Sequence, residues 1–153
     1  MLIAILAVGS LALCHIDHAR YVLRRQPGIT AEFRPIESGA DWPSKIALVV
    51  RFAKSGRTYW FVPWSGGTDD LQHLASTTEV TADGWRPPSP DGGPRPLGDV
   101  DYIAMTKTYD VIDAVPRRGG LAPAHLLLPN LGDKTGHANH DAAPKRFFDL
   151  VGC

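Results

Sequence analysis

The clearest pattern of hydrophobic positions lies in residues 45–64, KIALVVRFAKSGRTYWFVPW, where two apolar runs flank Lys54-Ser55-Gly56. Runs rich in β-branched and aromatic residues around a short loop that contains glycine are typical of a β-hairpin. A three-residue loop with Gly56 in the left-handed conformation fits better than a two-residue Ser55-Gly56 loop, because Ser-Gly suits the primed hairpin turns poorly. This prediction places Ala53 opposite Arg57.

The predicted register divides the hairpin into two faces, since successive side chains of a strand point to opposite sides. One face is apolar apart from Thr58 and carries Ile46, Leu48, Val50, Phe52, Trp60, Val62 and Trp64. The other face carries Ala47, Val49, Arg51, Tyr59 and Phe61. A hairpin that is apolar on both faces must be covered on at least one side, so the core is predicted here.

Shorter apolar runs elsewhere predict further strands. These runs lie at residues 29–36, 77–81, 102–105, 109–115, 124–128 and 146–151. A short helix through Ser76 is predicted because Leu71, Leu74 and Ala75 have helical spacing and Thr68 suits its N-cap. Residues 82–98 hold five prolines and four glycines, so they form a loop rather than a helix or a central strand.

The N-terminal 14 residues, MLIAILAVGSLALC, form an uncharged apolar run. Thirteen helical residues span about 20 Å, less than the roughly 30 Å of a hydrocarbon core, so the length suits a signal peptide. Ser10-Leu11-Ala12 offers small residues for cleavage. Without cleavage, we expect one helix to about Arg25, ended by Pro27-Gly28. A buried cytosolic helix and a cytosol-facing anchor are the alternatives.

These patterns together predict an α+β fold, mainly an antiparallel β-sheet built around the 45–64 hairpin, with an N-terminal apolar helix. The chain has 153 residues, which suits one domain. Residues 1–27 are predicted to be a signal peptide or membrane-anchor helix, and residues 28–153 a single compact β-rich domain. The predicted location is the periplasm or cell envelope, with membrane contact through residues 2–25.

Charge and aromatic residues narrow the class of partner. The 16 basic residues balance the 16 acidic ones, which argues against nucleic-acid binding. Trp42, Tyr59 and Trp85 are candidates for a platform that binds a flat ligand, although aromatics at this spacing also build cores. The partner is expected to be a protein or a small ligand.

Two pairs of histidines have an H-x-x-H spacing, His15 with His18 and His137 with His140, and Asp141 follows the second pair. Imidazoles three residues apart on a helix face the same way, and imidazole with carboxylate suits Zn²⁺ or another divalent metal. Neither pair matches the metalloprotease pattern H-E-x-x-H, and exposed histidines in a loop are the alternative.

Cys14 and Cys153 are the two cysteines, one near each end of the chain. The termini of a domain are often close, so a disulfide between them is a candidate in an oxidising compartment. The alternative is that Cys14 stays in a membrane segment and Cys153 is a free terminal thiol. The sequence contains no G-x-S-x-G, Walker or Rossmann pattern and no C-x-x-C.

The leading functional hypothesis is a non-enzymatic envelope module that binds a partner or ligand, without a cofactor, through its sheet face and the 82–98 loop. One alternative is a metal-assisted hydrolase that uses His137, His140 and Asp141, with Asp133 as a further ligand. A second alternative is a structural, membrane-associated subunit of a larger complex. The binding hypothesis predicts an exposed aromatic patch that includes Trp42 or Trp85.

Overall fold

The protein is an eight-stranded, antiparallel, closed β-barrel, as seen in a computed structural model that describes residues 13–37, 42–64, 72–88 and 92–153. The strands are β1 (Arg20–Leu23), β2 (Gln26–Pro35), β3 (Ile46–Phe52), β4 (Arg57–Trp64), β5 (Gln72–Thr77), β6 (Asp99–Met105), β7 (Val111–Ile112), β8 (His125–Leu127) and β9 (Phe147–Gly152). Strands β1 to β6 pair in chain order, followed by β8 and β9, and β9 pairs back with β1. The two residues of β7 add to the end of β6.

The prediction of an α+β fold with an N-terminal apolar helix is wrong. The described part of the chain has a single α-helix, α1 (Leu131–Asn139), and it lies near the other end of the sequence. A 3₁₀ turn at Ile16–His18 and strand β1 occupy the segment that was expected to be helical up to Arg25. Tyr21 and Leu23 are buried on alternate positions of that segment, which is the period of a strand.

The 14-residue apolar run falls almost entirely outside the described residues, so the predicted signal peptide and cleavage site stay predictions. Within the described ranges, no helix is long and apolar enough to cross a membrane. The first strand, β1, is part of the barrel wall between β2 and β9.

Strands β1 and β9 close the barrel next to a disulfide bond. Cys14 and Cys153 are bonded to each other, and their Cα atoms are 5.6 Å apart. This is the pair that the sequence analysis proposed, and the separation is ordinary for a disulfide. The bond lies beside the seam where the strands nearest the two ends of the chain meet.

Large side chains fill the inside of the barrel. Tyr21, Phe33, Phe61 and Phe148 are each at most 1% exposed and belong to one continuous hydrophobic cluster. Strands β2 and β6 show the alternation of buried and part-exposed positions that is expected of a barrel wall. The interior is therefore a packed core.

The 45–64 hairpin is confirmed, but its predicted register is wrong by one residue. Leu48 lies opposite Phe61 and Phe52 lies opposite Arg57, so the loop has four residues. The N–H of Gly56 donates to the carbonyl of Phe52 at 2.9 Å, and Gly56 has the expected left-handed conformation with φ 72°. Because a shift of one residue reverses a strand, Tyr59 and Phe61 point into the barrel with Leu48.

The reversed side of β4 builds a second, smaller cluster outside the barrel. This outer cluster consists of Ile36, Trp42, Ala47, Val62, Ala75 and Val80, with Trp60, Trp64 and Trp85 packed against it. The segments before β3 and after β5 supply the residues that cover this patch of the wall. Strand β3 is therefore buried on both faces, as its burial pattern shows.

Two further local predictions are wrong. The expected helix through Ser76 is strand β5, while its proposed N-cap Thr68 lies outside the described residues. Residues 78–81, expected to be a strand, form a bend and turn. Helix α1 was not predicted. The predicted runs at 29–36, 102–105, 124–128 and 146–151 correspond to strands, and the run at 109–115 contains the short β7.

Candidate functional site at one end of the barrel

A cleft of about 610 Å³ opens at one end of the barrel, and we call it the barrel-end cleft. The start of β2, the β3–β4 loop and the segment after α1 surround it. The apolar residues that line the cleft are Ile29, Phe52, Ala53 and Ala142. The polar residues that line it are Gln26, Lys54, Ser55, Arg57, Asn139, His140 and Asp141. A concave site with an apolar surface and a few polar groups is typical of ligand binding.

The end of helix α1 fixes the polar side of the cleft. His140 caps the helix in a left-handed conformation (φ 61°), and its N–H donates to the carbonyl of Gly136 at 2.9 Å. This turn directs the chain back, and the hydroxyl of Thr135 donates to the carbonyl of Asp141 at 2.5 Å. Thr135 is fully buried, so Asp141 is held against the barrel.

The carboxylate of Asp141 is the centre of the site. Asp141 is the only charged residue that is buried among the described residues, and 7% of its surface is exposed. The hydroxyl of Tyr59 donates to it at 2.5 Å, and Nη1 of Arg57 lies 3.4 Å away. The same guanidinium nitrogen donates to the carbonyl of Asn139 at 3.0 Å. A buried charge needs such partners.

The contacts around Asp141 shift two pKa values in opposite directions. Burial by itself raises the pKa of the Asp141 carboxyl, but hydrogen bonds from Tyr59, Ser55 and Arg57 lower it by more. The pKa of Asp141 therefore lies below its usual range, and the group is a carboxylate near neutral pH. Burial and the hydrogen bond to Asp141 raise the pKa of Tyr59 to about 12.

The rim of the cleft carries one positive charge beyond the neutral Arg57–Asp141 pair. The carboxylate of Asp141 balances the charge of Arg57. The ammonium group of Lys54 supplies the further positive charge of the rim. The side chain of Arg57 stays 49% exposed although it contacts Asp141. The cleft thus offers an apolar surface beside two cations.

The structure does not bring the predicted metal ligands together. His137 and His140 are both exposed, whereas Asp141 is buried and engaged by Tyr59. Asp133 lies 3.9 Å from the amine of Lys145. Across the part of the chain that the structure describes, no group of three or more His, Cys, Asp or Glu could hold a metal ion.

The first histidine pair, His15 and His18, lies exposed on the surface at the 3₁₀ turn. The Nδ1 atom of His15 is 3.3 Å from the carbonyl oxygen of Gly119. The turn attaches the N-terminal segment to the 119–121 region, where the N–H of Ile16 donates to the carbonyl of Gly120 at 2.9 Å.

The three aromatic residues that were predicted to bind a ligand lie in two different parts of the structure. Trp42 is buried in the outer cluster and its indole N–H donates to the carbonyl of Pro63 at 2.9 Å. Trp85 is half-buried in the same cluster, and its indole donates to Thr77 at 2.9 Å. Tyr59 points into the barrel end and supports Asp141. The three rings do not form a shared exposed platform.

A second polar cluster, which the sequence analysis did not identify, lies across β1, β8 and β9. Arg24 donates to both oxygens of Asp149 at 2.8 Å, and Nδ1 of His125 is 2.7 Å from Asp149. Tyr109, at φ 65°, stacks on His125 with 4.4 Å between ring centres and accepts a hydrogen bond from Arg24. Hydrogen bonding from Arg24 holds the pKa of Asp149 below its usual range.

Sequence reasoning found Tyr59, His140 and Asp141 but gave them other roles, and it missed Arg57 and Phe52 as parts of a site. The sequence contains little that would identify Arg57 as a site residue, because a basic residue directly after a hairpin turn is common. No protein-family model, curated protein or solved structure matches the chain.

Proposed function

We propose that the protein is a non-enzymatic binding module that holds its ligand in the barrel-end cleft. The observation that carries this proposal is the 610 Å³ cleft with an apolar surface and a cationic rim, at the end of a barrel whose interior is filled. Clefts of this size and lining are the usual sites of small ligands and of anchoring side chains.

The lining favours an amphipathic ligand with an acidic or strongly accepting group. An apolar part of the ligand would pack against Ile29 and Phe52. A carboxylate or similar acceptor would lie near Arg57 and Lys54, because a guanidinium donates to planar acceptors in a fixed geometry.

Preorganisation of Arg57 supports this role. Asp141 and the carbonyl of Asn139 hold its guanidinium in place before any ligand arrives. Asp141 is in turn fixed by Tyr59. A side chain that is already ordered loses less conformational entropy on binding, so affinity improves without additional contacts.

The disulfide supports the proposal that this binding takes place in the cell envelope. A bond between Cys14 and Cys153 persists in oxidising compartments and is rare in a reducing cytosol. The localisation is tested by fractionating the native host and measuring the mass and thiol content of the protein. Reduced protein in the cytosol would contradict it.

The binding site is tested with the fluorescent anion 1-anilinonaphthalene-8-sulfonate, which combines an apolar ring system with a charge. We expect Ala53→Trp, which fills the cleft, to reduce the bound fluorescence at least about tenfold, since it displaces the probe. Ala114→Trp is the matched control at an exposed position outside the cleft and should bind as the wild type does. Equal binding by the wild type and Ala53→Trp would contradict the proposed site.

A further inference from the structure

Three hollows on the surface share residues and form one continuous path. The barrel-end cleft shares Gly28, Phe52, Ala53 and Arg57 with a hollow of about 240 Å³ on the outside of the β2–β4 wall. That hollow shares Thr30 and Arg51 with a third one, of about 380 Å³, on the outside of β1–β3. We call this path the cationic groove.

An arginine lines the groove at each stage. Arg57 lines the cleft and the middle hollow, Arg51 the middle and third hollows, and Arg20 the third. Thr30 pairs with Arg51 across β2 and β3, so Arg20 and Arg51 are two strands apart. Two strand spacings are about 10 Å, so the backbone positions of the two arginines are separated by at least this distance across the sheet.

Carboxylates along the groove are too few for these cations. Glu32 accepts from Arg51 at 2.6 Å and from Arg34 at 2.8 Å, and both contacts use the same oxygen. Within the described residues, no carboxylate lies within ion-pair distance of Arg20. The groove is therefore lined by four cations (Arg20, Arg51, Lys54 and Arg57) against the carboxylates of Glu32 and Asp141, on a chain whose formal net charge is zero.

Apolar surface lies at both ends of the groove. Ile29 and Phe52 line the barrel-end cleft, and Val22 and Val151 line the third hollow, where Val151 is 62% exposed. A polyphosphate or polysaccharide would match the arginines but would leave this apolar surface unused. A peptide can present acidic and apolar side chains on the same segment.

We propose that the ligand is an extended acidic segment of a protein partner, which inserts an apolar side chain into the barrel-end cleft and lays its carboxylates along Arg57, Arg51 and Arg20. This inference rests on the proposed function of the cleft and adds the class of ligand. Arginines beside apolar anchors are the composition of protein-binding surfaces, and carboxylates are their natural partners.

The test measures the anisotropy of a fluorescein-labelled hexapeptide of three leucines followed by three glutamates, with the full chain in its oxidised form. We expect saturable binding that weakens as salt is added, because the contacts are between exposed charges. Arg20→Ala should weaken binding about two- to fivefold, and Arg51→Ala by a similar factor. A hexapeptide with lysine in place of glutamate should not bind.

Glu32→Gln provides a variant for which the expected effect is a gain. Removing this charge leaves Arg51 and Arg34 free to attract the peptide, so affinity should rise about two- to fivefold. Glu79→Gln, at an exposed position outside the groove, is the matched control and should leave affinity unchanged. A loss of affinity in Glu32→Gln would overturn the proposal.

The outcomes separate this inference from the proposed function. In one outcome the naphthalene sulfonate binds the wild type, Ala53→Trp reduces this binding, and the peptide does not bind. The proposed binding site is then supported and the acidic-segment inference fails. If a four-nucleotide oligothymidylate, whose three phosphodiesters match the three glutamates in charge, binds more tightly than the peptide, the inference also fails. If neither the peptide nor the naphthalene sulfonate binds, both proposals fail.

Discussion

Asp141 illustrates how a single residue can look like a metal ligand in the sequence and serve a different purpose in the fold. Its position after two histidines suggested a divalent ion, but its carboxylate accepts from Tyr59 and pairs with Arg57. A carboxylate in these contacts orders a cation at the edge of a cleft. The contribution of Asp141 is therefore positional: it sets the charge and the geometry of the rim.

Tyr59→Phe should reveal the energetics of this contact. At pH 7 we expect the free energy of unfolding to fall by about 1–2 kcal/mol, because the buried carboxylate of Asp141 loses a donor. The folded pKa of Asp141 is lowered, so its stabilisation is fully present above the unfolded pKa of about 3.9 and is lost as the pH falls through the folded value. Urea denaturation at pH 7 and pH 3 should therefore show a smaller difference from the wild type at pH 3.

Tyr102→Phe is the matched control for this experiment. The hydroxyl of Tyr102 is buried and has no hydrogen-bond partner among the described residues, so its removal leaves no carboxylate unpaired. We expect an unfolding free energy equal to or above that of the wild type at both pH values. An equal loss of stability in the two variants would mean that the Tyr59–Asp141 contact contributes nothing specific.

At the scale of the element, helix α1 depends on a close approach that leaves no room for a side chain. A Cβ added to Gly132 would lie 2.0 Å from the carbonyl oxygen of Ala143, whereas one added to Gly136 would be 3.9 Å from the nearest such atom. Gly132 thus lets the helix pack directly against the connecting segment between α1 and β9. This packing places the C-terminal end of α1, with His140 and Asp141, at the cleft.

Two alanine substitutions in this helix should have opposite effects. Gly132→Ala should lower the free energy of unfolding by about 1–3 kcal/mol, because backbone must move to admit the methyl group. Gly136→Ala should raise it by about 0.5–1 kcal/mol, since alanine is the better helix former and the site has space. Thermal or urea denaturation compares the two, and two changes of the same sign would contradict the close approach at Gly132.

The register of the 45–64 hairpin and strand β5 were predicted wrongly for the same physical reason. Strand β3 and part of β5 are buried on both faces, inside by the barrel core and outside by the outer cluster. An alternating pattern cannot fix a register or distinguish a strand from a helix when both faces are apolar. This is why the 45–64 hairpin was predicted one residue out of register and why β5 was predicted as a helix.

Helix α1 escaped prediction for the opposite reason, since its sequence LGDKTGHAN offers almost no apolar period. Its helicity comes from tertiary contacts through Leu131 and Thr135, which are invisible in the sequence. Tyr59 and Asp141 were recognised as candidate site residues because of their types and neighbours. Tyr59 and Asp141 are 82 positions apart in the sequence, and no local pattern predicts a contact over that separation.

At the scale of the whole molecule, one covalent bond secures the seam of the barrel. Cys14 and Cys153 are separated by 139 positions in the sequence, and their bond lies beside the β1–β9 pairing. A crosslink over such a long loop strongly restricts the unfolded chain, so its effect on stability should be large. The rest of the barrel is held by non-covalent pairing between neighbouring strands.

Replacing both cysteines by serine should lower the free energy of unfolding by roughly 5 kcal/mol at most, the value that chain entropy gives for a loop of this length. The measurement is urea denaturation of the oxidised wild type and of the double variant, each with and without reductant. The reductant should destabilise the wild type and leave the double variant unchanged. Coincident midpoints for all four samples would show that the bond contributes no stability.

The pairing of β1 with β9 also dictates an order of events during folding. Strands β1 to β6 can form as successive hairpins, each between neighbours in the chain, but β1 keeps one unpaired edge until β9 arrives from more than 120 residues away. Closure must therefore be late and slow, because contacts between distant residues carry the largest loop-closure entropy. Until then the nascent chain presents an open strand edge, the surface from which intermolecular aggregation begins.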